Sequence, residues 1–248
     1  MMTDAGITFI VGLTGVGKST TLEALKRSDL TLLPNRRELA DTIIIPEMQR
    51  QMGEAVREVR DRLARFEFTK RYRQQHPGGV VQALQVYLEQ IYLEKTSLQP
   101  PFLFDNVRGL DEVKSAAETF ANARFIFLDA PNMVRLKRLI GRADAFDQVS
   151  NVAATSPQNT SFTEKLLTVR GVDEVFDLYE VGRLEANAGV DDEALLDAVK
   201  IIVAEQQNYD AAAALAYLRT SLGETRLLYL DTSMLSVNEV AARIEAWL

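Results

Sequence analysis

Gly12-Leu13-Thr14-Gly15-Val16-Gly17-Lys18-Ser19 satisfies every fixed position of the G-x-x-x-x-G-K-[ST] phosphate-binding loop. Its flanks complete the pattern. Ahead of it, Ile7-Thr8-Phe9-Ile10-Val11 is a short β-branched, apolar run that reads as a buried strand. Behind it, residues 19–27 carry Leu22 and Leu25 three apart among charged neighbours, the spacing of an amphipathic helix. Strand, glycine loop and helix N-terminus make an anion trap: backbone N–H groups turn inward on a phosphate and the helix dipole favours its charge. Gly12, Thr14, Gly15, Val16, Gly17, Lys18, Ser19 and Thr20 are therefore the expected nucleotide-binding residues. Lys18 is placed to reach the β- and γ-phosphates, and the Ser19 hydroxyl to ligate Mg²⁺.

Composition narrows the classes. The chain has 248 residues, 47% hydrophobic and 25% charged, enough for one large domain with insertions. A net charge of −7 argues against nucleic acid as the main partner. With no cysteine and one histidine (His76), thiolate zinc sites and sites needing two histidines are excluded. No apolar stretch approaches about 18 residues and the N-terminus lacks a signal pattern, so the expectation is a cytoplasmic protein with no membrane span.

Along the chain, 30–33 reads as a short strand ending in the turn Pro34-Asn35-Arg36-Arg37, and Thr42-Ile43-Ile44-Ile45 as another strand stopped by Pro46. One long charged helix is expected from 47 to about 72, with Met48, Met52, Val56, Val59, Leu63 and Phe66 on one face, and a second over 80–96. Phe102–Asp105 and Phe125–Asp129 read as strands ending in an acid, followed by helices over 110–121 and 132–142. Residues 143–165 read as a loop, 172–182 and 191–222 as helices, the latter broken near Asn208. A strand over 226–231 and a helix over 236–248, capped by Ser236 and Glu239, close the chain. Alternating strands and helices imply an α/β parallel sheet covered on both faces.

Phosphoryl transfer needs an acid beside the metal and cations that follow the moving charge. Asp105 is the best acid, because Arg108 and Gly109 follow it at the ligand-binding edge of the sheet; the alternative is a turn or cap acid. Asp129 reads as part of a strand-to-helix turn. Arg138 and Arg142 are four apart, so both emerge on one face before the loop, as in a lid over phosphates or an ordinary solvated basic face.

These segments carry a resemblance. Val134-Arg135-Leu136-Lys137-Arg138-Leu139-Ile140-Gly141-Arg142, after a strand ending in Asp129, resembles the lid-entry helix of adenylate kinase and related nucleoside monophosphate kinases. The loop at 12–19 and the closing 227–248 are similar too, and Asp105-Asn106-Val107-Arg108 corresponds loosely to that family's Asp-Gly-Phe-Pro-Arg segment. The likeness covers 7–28, 102–109, 125–142 and 227–248. It implies a P-loop NTPase fold with helical insertions, ATP as the nucleotide, and phosphate contacts from Arg138 and Arg142.

The expected layout is a single domain over 1–248. Its core is 1–30, 101–142 and 223–248, with an acceptor-side helical insertion at 31–100 and a lid plus helical insertion at 143–222. Arg36, Arg37 and Arg50 lie nearest the loop within the first insertion, where a guanidinium fork could bind a phosphate or carboxylate. The equal alternative is a charged helix surface. Gln206-Gln207-Asn208-Tyr209 reads first as core-edge packing and second as a contact to a base or sugar, and the apolar stripe of 194–218 as core or as a contact between subunits in a homodimer.

The resulting expectation is a small-molecule kinase using Mg-ATP on a small, anionic acceptor such as a nucleotide or nucleoside. Asp105 would position Mg²⁺ or the acceptor hydroxyl; Lys18, Arg108, Arg138 and Arg142 would neutralise the transferred charge. The competing class is a P-loop ATPase acting as a switch or partner-binding protein. Within that class no Asn-Lys-x-Asp motif and no Leu-Ser-Gly-Gly-Gln signature occurs.

Overall fold

Apolar runs with hidden two-residue alternation build the sheet. In β1 (Ile7–Val11), Ile7, Phe9 and Val11 face one core and Ile10 the other. The computed structural model describes residues 6–25, 30–93, 101–140, 161–188 and 191–248. After β1 come α1 (Lys18–Leu25), β2 (Thr31–Leu32), α2 (Arg36–Leu39), a π-helical turn over Ala40–Ile44, α3 (Ile45–Gln51), α4 (Arg62–Gln75) and α5 (Val80–Leu93). Next are β3 (Phe102–Val107), α6 (Leu110–Thr119), β4 (Arg124–Asp129) and α7 (Asn132–Ile140). Then α8 (Phe162–Leu167), α9 (Val172–Val175), α10 (Leu178–Ala188), α11 (Asp192–Asn208), α12 (Ala211–Leu222), β5 (Leu227–Asp231) and α13 (Val237–Trp247) follow.

The strands form one all-parallel sheet in the order β2-β3-β1-β4-β5. This is a P-loop-type α/β fold. From β1 the chain runs to β2 at one edge, returns in β3 beside β1 and then crosses to β4 on the other side, so the loop after β1 opens at the topological switch point, where ligands of such sheets bind. Phe9 anchors one face, its ring 5.9, 5.6 and 5.4 Å from those of Phe104, Phe120 and Phe125. That face is closed by α5, α6 and α12, and the other by α1 and α13. A separate apolar cluster joins α7 to α8–α11 through Leu136, Leu166, Val172, Val199 and Ile202. Among the described residues no helix is long and apolar enough to cross a membrane.

Several expected elements differ. Thr42–Ile45 is helical: Ile43 and Ile44 are buried, and Pro46 sits in the first turn of α3, where its missing N–H costs nothing. The long helix over 47–72 is two helices. Gly53, at φ +72°, follows the last turn of α3 and donates to Arg50 O, a left-handed stop that side chains resist. The buried Gln49 amide then holds the extended chain by exchanging hydrogen bonds with Arg57 N and O (3.0 and 3.1 Å), and Asp61 caps α4. Met52, Val56 and Phe66 of the supposed apolar stripe are consequently exposed. Residues 161–165 begin α8, with a Ser161–Glu164 capping box, while the rest of the expected 143–165 loop lies outside the described residues. The 172–182 helix is divided into α9 and the start of α10.

Candidate nucleotide site

The loop between β1 and α1 is held from several sides. Gly12 N donates to Val107 O across the sheet (3.0 Å), and the Thr232 hydroxyl donates to Val16 O (2.8 Å). At Gly15, φ +85°, a Cβ would lie 3.0 Å from Arg135 Cβ and O, so only glycine lets α7 approach the loop this closely. Lys18 is buried and bends back on its own loop, donating to Gly12 O (2.8 Å) and Leu13 O (2.9 Å). Burial, then the nearby Arg108 cation, lowers the Lys18 pKa to about 7. Ser19 and Thr20 are exposed in the first turn of α1.

An anion already sits against this loop. Glu205, on α11 and 6% exposed, accepts from Thr14 N (2.9 Å) and the Thr14 hydroxyl (2.5 Å). Its other partners are Arg108 Nη1 (2.8 Å) and Arg135 Nη2 (2.6 Å). Arg135, 1% exposed, also donates to Thr14 O (2.8 Å) and Asn132 Oδ1 (2.8 Å). A loop amide, a hydroxyl and two guanidinium groups therefore converge on one carboxylate. Neither Glu205 nor Arg135 was singled out from sequence. Arg135 had a signal, three residues before Arg138 on the same helix. Glu205 had none, since it lies 191 residues from Thr14.

Arg138 donates to Gly15 O (3.2 Å), Thr232 Oγ1 (2.8 Å) and Thr232 O (2.7 Å), tying α7 to the loop and to the segment after β5. Beside it opens a cavity of about 260 Å³ lined by Gly17, Thr20, Arg138, Thr232, Leu235 and Val237 among others. Arg142 lies outside the described residues.

On the opposite flank of β1, Asp105 near the end of β3 is 8% exposed. Its Oδ2 accepts from Asn106 Nδ2 (3.2 Å), while Oδ1 has no hydrogen-bond partner among the described residues. Burial pushes its carboxyl pKa up, against the pull of Lys18, the Asn106 backbone N–H, Arg108 and Arg36. Asn106 is held at φ +82°, a conformation that costs energy in a non-glycine residue. Arg36 Nη2 donates to Asn106 O (3.0 Å) and pairs with Glu112 (2.6 Å). The Nε atoms of Arg36 and Arg108 are buried without a hydrogen-bond partner among the described residues. Arg37 and Arg50 are exposed on α2 and α3. Asp129 accepts at the turn into α7 from Ala130 N (2.9 Å), and Gln206 and Gln207 bond Asn132 and Arg170 O.

Among the described residues no three His, Asp or Glu side chains cluster as a metal cage. Oxygen donors that suit Mg²⁺ are nonetheless present in Asp105 Oδ2 and the exposed Ser19 hydroxyl. Magnesium in such sites is held by one or two side chains plus substrate phosphates, so a full protein cage is not required.

No family model matches the chain, and no curated protein does. Two solved structures are similar over nearly its whole length. TT1252 from Thermus thermophilus aligns at TM-score 0.49 with 17% identity, covering 98% of each chain. A sulfotransferase from Alicyclobacillus acidocaldarius aligns at TM-score 0.36 with 10% identity, covering 97% of this chain and 79% of its own. Likeness at these levels assigns no activity to this chain.

Proposed function

We propose that this protein transfers the γ-phosphoryl group of Mg-ATP to a small acceptor such as a nucleoside or nucleotide. The observation that carries the proposal is the convergence of Thr14 N, the Thr14 hydroxyl, Arg108 and Arg135 on the Glu205 carboxylate. Donors prearranged around an anion in a water-poor site are what charge transfer to a phosphoryl oxygen requires. In this reading the triphosphate replaces Glu205. Its γ-phosphate takes the donors now spent on the carboxylate, and Lys18 moves from its carbonyl partners to the β- and γ-oxygens. The likeness of 134–142 to a lid-entry helix supports ATP, with the base in the cavity beside Arg138 and Thr232.

Magnesium, held by Ser19 and Asp105, would neutralise charge between the phosphates. The acceptor oxygen then forms a bond to the γ-phosphorus as the bond from that phosphorus to the β,γ-bridging oxygen breaks. The electron pair leaves with ADP, and the acceptor proton passes to the transferred phosphoryl group. Arg108, with a buried Nε–H that has no partner among the described residues, supplies a further donor to the group in flight.

One observation favours a second reading. The direct tie between Thr14 and Glu205 links loop occupancy to the position of α11, as a nucleotide-dependent ATPase switch would need. ADP release from Mg-ATP, measured with and without nucleosides and nucleoside monophosphates, separates the two. A stimulating compound that returns phosphorylated establishes the transferase. Slow release that none of them changes supports the switch.

A further inference from the structure

The proposed reaction leaves the acceptor's charge open, and the cavity beside Asp105 decides it. This cavity measures about 490 Å³, within the range of roughly 300–1,000 Å³ usual for small-molecule sites. Leu22 of α1, Leu32 and Leu33 at β2 and Tyr87 of α5 supply its apolar wall. Its polar groups include Glu38 and Asp105, two carboxylates. No lysine or arginine side chain is among the described residues that line it. Arg36, next in sequence to a lining residue, has its fork on Glu112 and Asn106 O.

A buried carboxylate oxygen without a donor is rare in folded proteins and needs an explanation. Asp105 Oδ1 is such an atom, and it belongs to a residue lining this cavity. A hydroxyl group satisfies it; a phosphate or carboxylate, which brings only acceptors and negative charge, does not.

We infer that the cavity beside Asp105 receives an uncharged, hydroxyl-bearing acceptor built on an apolar ring, whose hydroxyl donates to Asp105 Oδ1. The inference rests on the phosphotransferase reading and narrows its acceptor from nucleotide or nucleoside to the uncharged class. The ring lies against Leu33 and Tyr87. The cations of the site, Lys18, Arg108 and Arg135, stay with the triphosphate. Strained Asn106 fixes the geometry: its side chain holds Oδ2, and its carbonyl is held in turn by Arg36.

The test uses matched pairs that differ only by one phosphate: adenosine and AMP, thymidine and TMP, pyridoxine and pyridoxine phosphate. ADP release from Mg-ATP and the mass of the product are read for each member, with wild-type protein and two variants. Leu32→Lys puts a cation into the cavity from an edge strand where Leu32 is 54% exposed, so the fold is not at risk. Glu38→Gln removes one negative charge and keeps a side chain able to cap α2.

The expected result is that an uncharged member raises ADP release about tenfold or more and returns as its monophosphate, while its phosphorylated partner does not. Leu32→Lys and Glu38→Gln should each narrow the discrimination against the phosphorylated partner by at least about threefold. Better use of a phosphorylated member overturns the inference. So does the absence of any response to the uncharged members by a protein that binds Mg-ATP in a Lys18-dependent way. Absence of Lys18-dependent Mg-ATP binding is a different failure, that of the phosphotransferase reading itself.

Discussion

Two buried carboxylates flank the loop after β1, and they are treated in opposite ways. Glu205 is saturated: an amide, a hydroxyl and two guanidinium groups all donate to it. Asp105 keeps one oxygen without a donor among the described residues, in a side chain similarly withdrawn from water. A satisfied buried charge belongs to the folded architecture, whereas an unsatisfied one is tolerated only for something it does. The comparison assigns the saturated side to a seat that the chain fills itself. In the proposed reading the unsaturated side is the seat of the acceptor.

The strongest way to break this comparison is at the residue both sides share. Lys18→Ala should reduce turnover by about 10³-fold or more with an unchanged far-ultraviolet circular dichroism spectrum. Turnover near wild type would remove the loop from the chemistry.

Asp105→Asn sharpens the contrast on the unsaturated side. Transfer should fall about 10²-fold. Stability in a denaturant titration should hold or rise by up to about 1 kcal/mol, because an uncompensated buried charge is lost. A clear loss of stability would show that Asp105 is structural.

Glu205→Gln should do the reverse. Unfolding free energy should drop by about 3 kcal/mol as Arg135 loses its buried partner, while Mg-ATP binds about tenfold more tightly by calorimetry. Weaker binding would mean that Glu205 supports the nucleotide instead of standing in its place.

A further effect is a pH slope. Lys18, at about 7 in the free protein, is protonated below that pH and neutral above it, while a bound triphosphate stabilises its charged form. Binding therefore takes up a proton above pH 7, and affinity should fall by up to about tenfold per pH unit from there toward the ordinary lysine range. A flat profile between pH 7 and about 9 would show that the bound state does not need the charge.

What the sequence made legible was local. The loop at 12–19 is recognisable because phosphate binding demands fixed residue types at fixed spacing, and the strands at 7–11, 102–105 and 125–129 because sheets covered on both faces need continuous apolar runs, the structure extending them to Phe102–Val107 and Arg124–Asp129. The region over 42–72 is not legible from its pattern, because β-branched isoleucines bury as well in a helix as in a strand, and because one glycine and one buried glutamine amide redirect the chain. Glu205 was invisible for another reason. Nothing in Ala204-Glu205-Gln206 marks a residue that meets a loop 191 positions earlier; only the packing of α11 on α7 brings it there. The arginines were legible as cations but not as partners, since Arg36 is spent on Glu112 and Arg135, passed over, is at the centre.

In the proposed reading, the Glu205 contact makes the protein carry its own competitive inhibitor on a permanent tether. Such an inhibitor has an effective concentration fixed by the chain and not by the surroundings. The apparent dissociation constant for the triphosphate is then the intrinsic one multiplied by one plus the internal occupancy ratio. Anything that shifts α11, such as contact on its outer face by another molecule, changes that ratio and retunes the nucleotide threshold without touching the loop.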